Sequence, residues 1–269
     1  MDKKIGFIGC GNMAMAMIQG IIKSKQIKPN QIYASNPSMG NLEKAKKLHN
    51  IHITQDNRLV AEICDVVFLS VQPHLYAAII GEIKDVVKSD AIIILVAAGQ
   101  TLDQNIKRFG RDIKMVKAMP NTPSLIGEGM TSLSINPFVT EKEKEEIKAL
   151  LESFGRVELI EENLMDAASA VGGSSPAFVY LFIEALADSA VMHGMSRKQA
   201  YVFAAQSVLG AAKMVLETDT HPGELKDMVC SPGGSTIEGI ASLEENGLRA
   251  AVIKAVNRCV EKTKSISKL

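Results

Sequence analysis

What this chain lacks narrows it first. Its four cysteines, Cys10, Cys64, Cys230 and Cys259, lie scattered along the sequence. They have neither the spacing of a zinc site nor the density of a disulfide scaffold, so no metal is expected and a reducing cytoplasm is the expected location. Neither charge is in excess, since Lys+Arg and Asp+Glu number 30 each. Nothing in that balance attracts nucleic acid or an anionic membrane. There is no long hydrophobic run: the longest, Ala91 to Ala98, is too short to span a bilayer. The opening MDKKIGFIGCG breaks into glycines too early to read as a signal peptide. No histidine looks catalytic. His49, His52 and His193 read as surface residues, His74 as a turn residue and His221 as a helix start before Pro222.

What is present divides in two, as 269 residues predict. In the first half, strands read at 3–9, 31–35 and 51–54, with a helix from Met13 to about Lys25 and another at 41–50. The continuous β-branched and aliphatic runs DVVFLSV (65–71) and AIIILVA (91–97) are the pattern of strands buried on both faces of a parallel sheet. Weaker strands follow at 113–119 and 130–135, then a charged helix at 141–154. Such alternation predicts a doubly wound α/β sheet over roughly residues 1–160.

The turn after the first strand reads GFIGCGNMA. Gly9, Gly11 and Ala14 fit G-x-G-x-x-A: a tight turn, room for a pyrophosphate against the backbone, and close packing of helix on strand. The helix then points free amides at the phosphates. A plain glycine-rich turn is the alternative, and the position at the head of a βαβ unit favours the dinucleotide. An NAD site commonly has an acid at the end of its second strand. Here Ala34-Ser35-Asn36-Pro37 has none, so nothing repels a 2′-phosphate and NADP is the expected cofactor, with NADPH preferred and NADH possible. Lys44 and Lys47 are either helpers or a solvated helix face. The turns Ser70-Val71-Gln72-Pro73 and Ala97-Ala98-Gly99 follow two further strands, where open α/β sheets bind ligands, or are ordinary turns. Asn121, in Met119-Pro120-Asn121-Thr122-Pro123, either offers its amide to the nicotinamide region or caps a turn.

From about Asn163 the strand signal ends. The segments 176–194 and 200–217 are apolar on most faces, apart from Glu184 and Asp188 on one and Gln206, Lys213 and Glu217 on the other. Such helices must be buried on most faces, and a dimer of interdigitated helical domains is the economical way to do it. The two acids read as structural. Near the end, Pro222 starts a short helix, the chain breaks at Ser231-Pro232-Gly233-Gly234, and a helix restarts with Ser235 or Thr236 as the expected N-cap. The break is either a joint between helices or an anion-binding loop.

GFIGCGNMA, NTP (121–123), SSPAF (174–178), HPGELKD (221–227) and SPGGSTI (231–237) together resemble the pyrroline-5-carboxylate reductase family, nearly end to end. The resemblance implies a Rossmann-type cofactor domain (1–162) and an all-helical C-terminal dimerisation and substrate domain (163–269). It implies NAD(P)H-dependent reduction of the cyclic imine 1-pyrroline-5-carboxylate to L-proline, by a homodimer, with larger assemblies of dimers left open. Cofactor contacts would fall on Gly9, Cys10, Gly11, Asn12, Met13, Ala14, Ser35, Asn36, Asn57, Ser70, Val71, Gln72, Pro73, Ala97 and Ala98. The substrate carboxylate would lie on Ser231, Gly233, Gly234, Ser235 and Thr236, with the Thr236 hydroxyl bonding the imine nitrogen or carboxylate. Three positions depart from the family: Gln72 where lysine is common, Ser175 within Gly173-Ser174-Ser175-Pro176, and Cys230 where serine or threonine is frequent. Two other readings are a non-catalytic NADP-binding sensor and a related two-domain hydroxy-acid dehydrogenase. The latter would need a lysine on a core helix, and Lys213 is the central candidate.

Overall fold

A computed structural model describes residues 2–266. The first unit comprises residues up to Ser174 together with 259–266, and the second runs from Ser175 to Arg258. The first is an eight-stranded sheet. In chain order it runs β1 (Ile5–Ile8), α1 (Asn12–Lys23), β2 (Ile32–Ser35), α2 (Met39–His49), β3 (His52–Thr54), α3 (Asn57–Ile63) and β4 (Val66–Leu69). It continues with α4 (Tyr76–Ile83), β5 (Ile92–Leu95), α5 (Leu102–Phe109), β6 (Lys114–Met119), β7 (Gly129–Ile135), α6 (Glu141–Leu151), β8 (Gly155–Leu159) and α7 (Met165–Ala168). The strand order is β3-β2-β1-β4-β5-β6-β7-β8. β1 to β6 are parallel, and β7 with β8 runs the other way, β7 pairing antiparallel with β6. The order reverses between β1 and β4, the switch point at which doubly wound sheets open a crevice.

The sheet separates two apolar layers, as the runs in β4 and β5 require. On one face, Phe7, Phe68 and Ile94 pack with Met17 and Ile18 of α1, Leu42 of α2 and Ile147 of α6. On the other, Ile8, Val67, Leu69 and Ile93 pack with Val60 of α3, Ile80 of α4 and Phe109 of α5. Observed strands stop short of the apolar runs that predict them: β4 ends at Leu69 and β5 at Leu95. The remaining residues form the turns at the sheet edge. Three helices, α3 to α5, and the strand β8 add to the elements expected from the sequence.

The second unit is helical: α8 (Ser175–Met192), α9 (Arg197–Thr218), α10 (Pro222–Val229), α11 (Ser235–Glu245) and most of α12 (Leu248–Ile266). A π-helical turn, Ser169–Ser174, precedes α8. Ser196 caps α9 by accepting from Gln199 N, and His221 caps α10 through Nδ1, which accepts from Gly223 N at 3.0 Å. The buried core of this unit is small, built on Ala187, Ala200 and Ala204. Leu181, Phe182, Val202, Phe203, Leu209 and Leu216 remain exposed. By length and composition, the helical residues Glu162–Met192 would suffice to cross a bilayer, which the apolar runs of the sequence do not suggest.

Candidate functional site

The strand register builds the first half of the site. Ile8 pairs with Ser35 on one side and Leu69 on the other, and Leu69 pairs with Leu95. Gly9–Ala14, Asn36, Ser70–Pro73 and Ala97–Ala98 therefore leave the sheet along one edge. Gly9 has φ +96°, and its N–H donates to the Ser35 carbonyl at 2.9 Å. A Cβ there would stand 2.5 Å from the Ser70 carbonyl oxygen. The Ser70 hydroxyl donates to the Gly9 carbonyl at 2.8 Å, so it braces the glycine loop. Cys10 N–H donates to Asn36 Oδ1 at 3.2 Å, which ties the loop to the end of β2. Burial pushes the Cys10 thiol up to about 11, away from the range of a reactive thiolate.

Gly11 is the N-cap of α1 and no side chain caps that end. A Cβ on Gly11 would meet nothing within 4 Å. Open space in front of unanswered helix amides fits a pyrophosphate, and a side chain at Gly11 would fill it. Beside it, Asn12, Met13, Met15, Ala16, Thr122 and Leu125 line a cleft of about 330 Å³. A larger hollow, about 640 Å³, lies on α5, β7 and the end of β8 and holds none of the candidate residues.

At the end of β2, Ser35 is fully buried and its hydroxyl donates to Asn57 Oδ1 at 2.7 Å. Asn57 Nδ2 donates to Glu82 Oε2 at 2.9 Å. Asn36 and Asn57 are half-buried there, and Asn36 Nδ2 donates to the hydroxyl of the exposed Ser38 at 3.0 Å. Lys44 and Lys47 are exposed on α2. Gln72 is exposed and Val71 half-buried at the next turn. The Pro73 carbonyl there accepts from Gln100 Nε2 at 3.2 Å. The buried Tyr76 hydroxyl donates to the Leu69 carbonyl at 2.6 Å and accepts from Val96 N at 3.2 Å, tying the ends of β4 and β5 together. Ala97 is buried and Ala98 partly exposed. Asn121 serves the fold: its Nδ2 donates to the Gly172 carbonyl at 2.8 Å and its Oδ1 accepts from Met130 N at 2.9 Å. Both ends of the amide are engaged, in keeping with the structural of the two roles considered for it. Tyr76 and Glu82 carry no sequence motif, and only the fold brings them to this edge.

The second half of the candidate set lies in the second unit. Neither Ser235 nor Thr236 is the N-cap of α11. That place falls to Gly234, and no side chain caps the helix. Gly233 has φ +67°, and Gly234 N donates to the Ser231 carbonyl at 3.0 Å, closing the turn. A Cβ on Gly234 would collide with Ser231 Oγ. The loop thus presents two hydroxyl residues at the start of an uncapped helix, with Thr236 half-buried. Glu184 and Asp188 are both exposed on α8, and Asp188 pairs with Arg197.

Comparison with known proteins adds to this geometry. A family model described as pyrroline-5-carboxylate reductase dimerisation matches residues 162–266, and one described as NADP oxidoreductase, coenzyme F420-dependent, matches 4–99. The pyrroline-5-carboxylate reductase of Escherichia coli is 47% identical over 268 residues, covering 100% of both chains. The structure of a pyrroline-5-carboxylate reductase from Coxiella burnetii superposes with a TM-score of 0.92 at 36% identity, covering 100% of both chains. The pyrroline carboxylate reductase of Plasmodium falciparum, solved with NADP bound, superposes with a TM-score of 0.89 at 33% identity. It covers 99% of this chain and 98% of its own.

Proposed function

Because the chain belongs to the pyrroline-5-carboxylate reductase family, we propose a role for each of its two glycine loops in the family's reaction. The chain reduces 1-pyrroline-5-carboxylate to L-proline with NADPH. The cofactor supplies a hydride for the imine carbon, the ring nitrogen holds a proton, and the products are proline and the oxidised nucleotide. An iminium carbon is already electrophilic, so side chains have mainly to hold and orient. The reaction thus asks for no strong general acid.

In this reading, residues 1–162 carry the nucleotide and 163–269 carry dimerisation and the substrate. Gly9 to Ala14 receive the pyrophosphate at the uncapped start of α1. Asn36 and Asn57 face the adenosine ribose, and Ser35 acts behind Asn57. Ser70 to Pro73, Ala97 and Ala98 border the rest of the nucleotide. The substrate carboxylate lies on the turn Ser231, Gly233, Gly234 and on the first residues of α11, Ser235 and Thr236. The observation that carries this is the bare N-cap at Gly234. A helix start with no side-chain acceptor leaves its amides and its positive end to an anion. Thr236 adds a hydroxyl for the carboxylate or ring nitrogen. A soluble cytoplasmic enzyme is in keeping with four free cysteines, two of them buried.

The test is NADPH oxidation followed by absorbance, with 1-pyrroline-5-carboxylate, in the native protein and Thr236→Ala. Loss of one hydrogen bond to a charged group lowers kcat/KM by about 10- to 100-fold. NADPH affinity in the absence of substrate stays as it was. Equal kcat/KM in the two proteins removes Thr236 from the site. NADPH binding without any oxidation by the native protein would return the chain to the sensor reading.

A further inference from the structure

The end of β2 has no acid in sequence, yet the fold brings one within a single amide of it. Glu82 lies in α4, and its carboxylate accepts from Asn57 Nδ2 at 2.9 Å. An ionised carboxylate only accepts hydrogen bonds, so it settles which way the Asn57 amide points. The nitrogen must face Glu82, which leaves Oδ1 facing β2, where it accepts the Ser35 hydroxyl at 2.7 Å. Ser35 is fully buried, so its hydroxyl cannot turn to solvent instead. Asn36 and Asn57 are both half-buried at this edge, and the donating end of Asn57 is shared with a negative charge. Arg58 sits alongside, its Nη1 donating to the Glu82 backbone carbonyl at 3.1 Å, so its charge offsets part of the carboxylate's.

This arrangement is awkward for a 2′-phosphate and easy for a 2′-hydroxyl. A phosphate at the amide needs donors and brings about two negative charges close to the Glu82 carboxylate. A ribose hydroxyl can give or take a bond and brings none. We infer that Glu82, acting through the Asn57 amide, restrains the preference for NADPH and keeps NADH usable, so that α4 supplies the acid that β2 lacks. Glu82 is a positioning residue here. The inference rests on the reading above that the adenosine ribose lies against Asn36 and Asn57.

The test is the ratio of kcat/KM for NADPH to kcat/KM for NADH, with 1-pyrroline-5-carboxylate saturating. In Glu82→Gln the charge goes while the replacement carbonyl still accepts from Asn57 Nδ2, so the Ser35 bond and the direction of the Asn57 amide stay as they are. The ratio rises by about three- to fivefold, the size of one partly screened charge interaction. Glu82→Ala removes the charge and the acceptor together, which frees the Asn57 N–H for a phosphate oxygen, and raises the ratio more. A merely structural role would lower both values of kcat/KM together and leave the ratio alone. Asn36→Asp, which sets a carboxylate at the half-buried position after β2, separates the ribose site from the role of Glu82. If Asn36→Asp lowers the ratio while Glu82→Gln leaves it unchanged, the ribose site stands and the role of Glu82 falls. If neither moves it, the placement of the ribose fails, and this inference with it. Equal gains in Glu82→Gln and Glu82→Ala assign the effect to charge alone and overturn the role of the amide.

Discussion

Gly9 and Gly11 stand two residues apart and are glycine for different reasons. At Gly9 the backbone is left-handed, at φ +96°, and a side chain would stand 2.5 Å from the Ser70 carbonyl oxygen. Gly9→Ala therefore strains the fold itself, by about 2–4 kcal/mol, read as a fall in the denaturant midpoint. At Gly11 a Cβ meets nothing within 4 Å. With the pyrophosphate placed at the start of α1 as proposed, Gly11→Ala should unfold at the native midpoint and still weaken NADPH by about tenfold or more in titration, because the methyl would fill that approach. A Gly11→Ala protein that keeps its NADPH affinity would place the pyrophosphate elsewhere. The G-x-G pattern is legible in sequence because local backbone geometry dictates it. The chain from Ser35 through Asn57 to Glu82 is not, because it joins three elements that meet only after β2, α3 and α4 have packed. In sequence Asn121 reads either as an available amide or as a turn cap, and only the fold shows Gly172 and Met130 bonded to its two ends.

At the scale of elements, legibility follows length and burial. β4 and β5 are buried at every position and show as unbroken apolar runs. β8 (GRVEL) has one buried residue, Val157, between charged neighbours, so neither alternation nor hydrophobicity marks it. α3 has seven residues, about two turns, too few to show a helical period. α6 is legible by its start: Thr140 and Glu143 form a capping box. The fold uses Glu143 twice, because its other oxygen pairs with Lys114 of β6 at 2.6 Å. Burial raises the Glu143 carboxyl, but bonds from Lys114 and Thr140 outweigh burial and hold it below the ordinary glutamate range. A carboxyl whose folded value is lowered stabilises fully above its unfolded value, about 4.3, and the contribution fades as pH falls through the folded value. Denaturant melts of native protein and Glu143→Gln should therefore differ at pH 7 by about 1–2 kcal/mol. The gap should close as the pH drops below about 4. A gap independent of pH would mean that packing, and not the ionised carboxylate, is what the substitution removes.

For the whole molecule, the issue is what covers the helical unit. Its buried core rests on three alanines, while Phe203 and Leu181 are 63% and 68% exposed. A helix pair with so small a core cannot offset its own ordering entropy, so the apolar faces of α8 and α9 need a partner surface. Length and composition alone would allow a bilayer around Glu162–Met192. Family membership supplies a second copy as such a surface, since the matched family model is one of dimerisation and spans 162–266. The chain is accordingly a homodimer, and its stability depends on concentration. Phe203→Glu puts a charge on that face and should convert the dimer in sedimentation to monomer, or to a dimer at least tenfold weaker, about 1.4 kcal/mol or more. The thermal midpoint should fall with it, and the native midpoint should rise as protein concentration is raised. A variant that sediments as the native dimer with unchanged affinity removes Phe203 from the interface. Co-flotation of native protein with lipid vesicles, with no dimer in their absence, would overturn the assignment of the whole face. The first outcome would move the contact to another patch of the same helices, whereas the second would change what solvent those helices are built for.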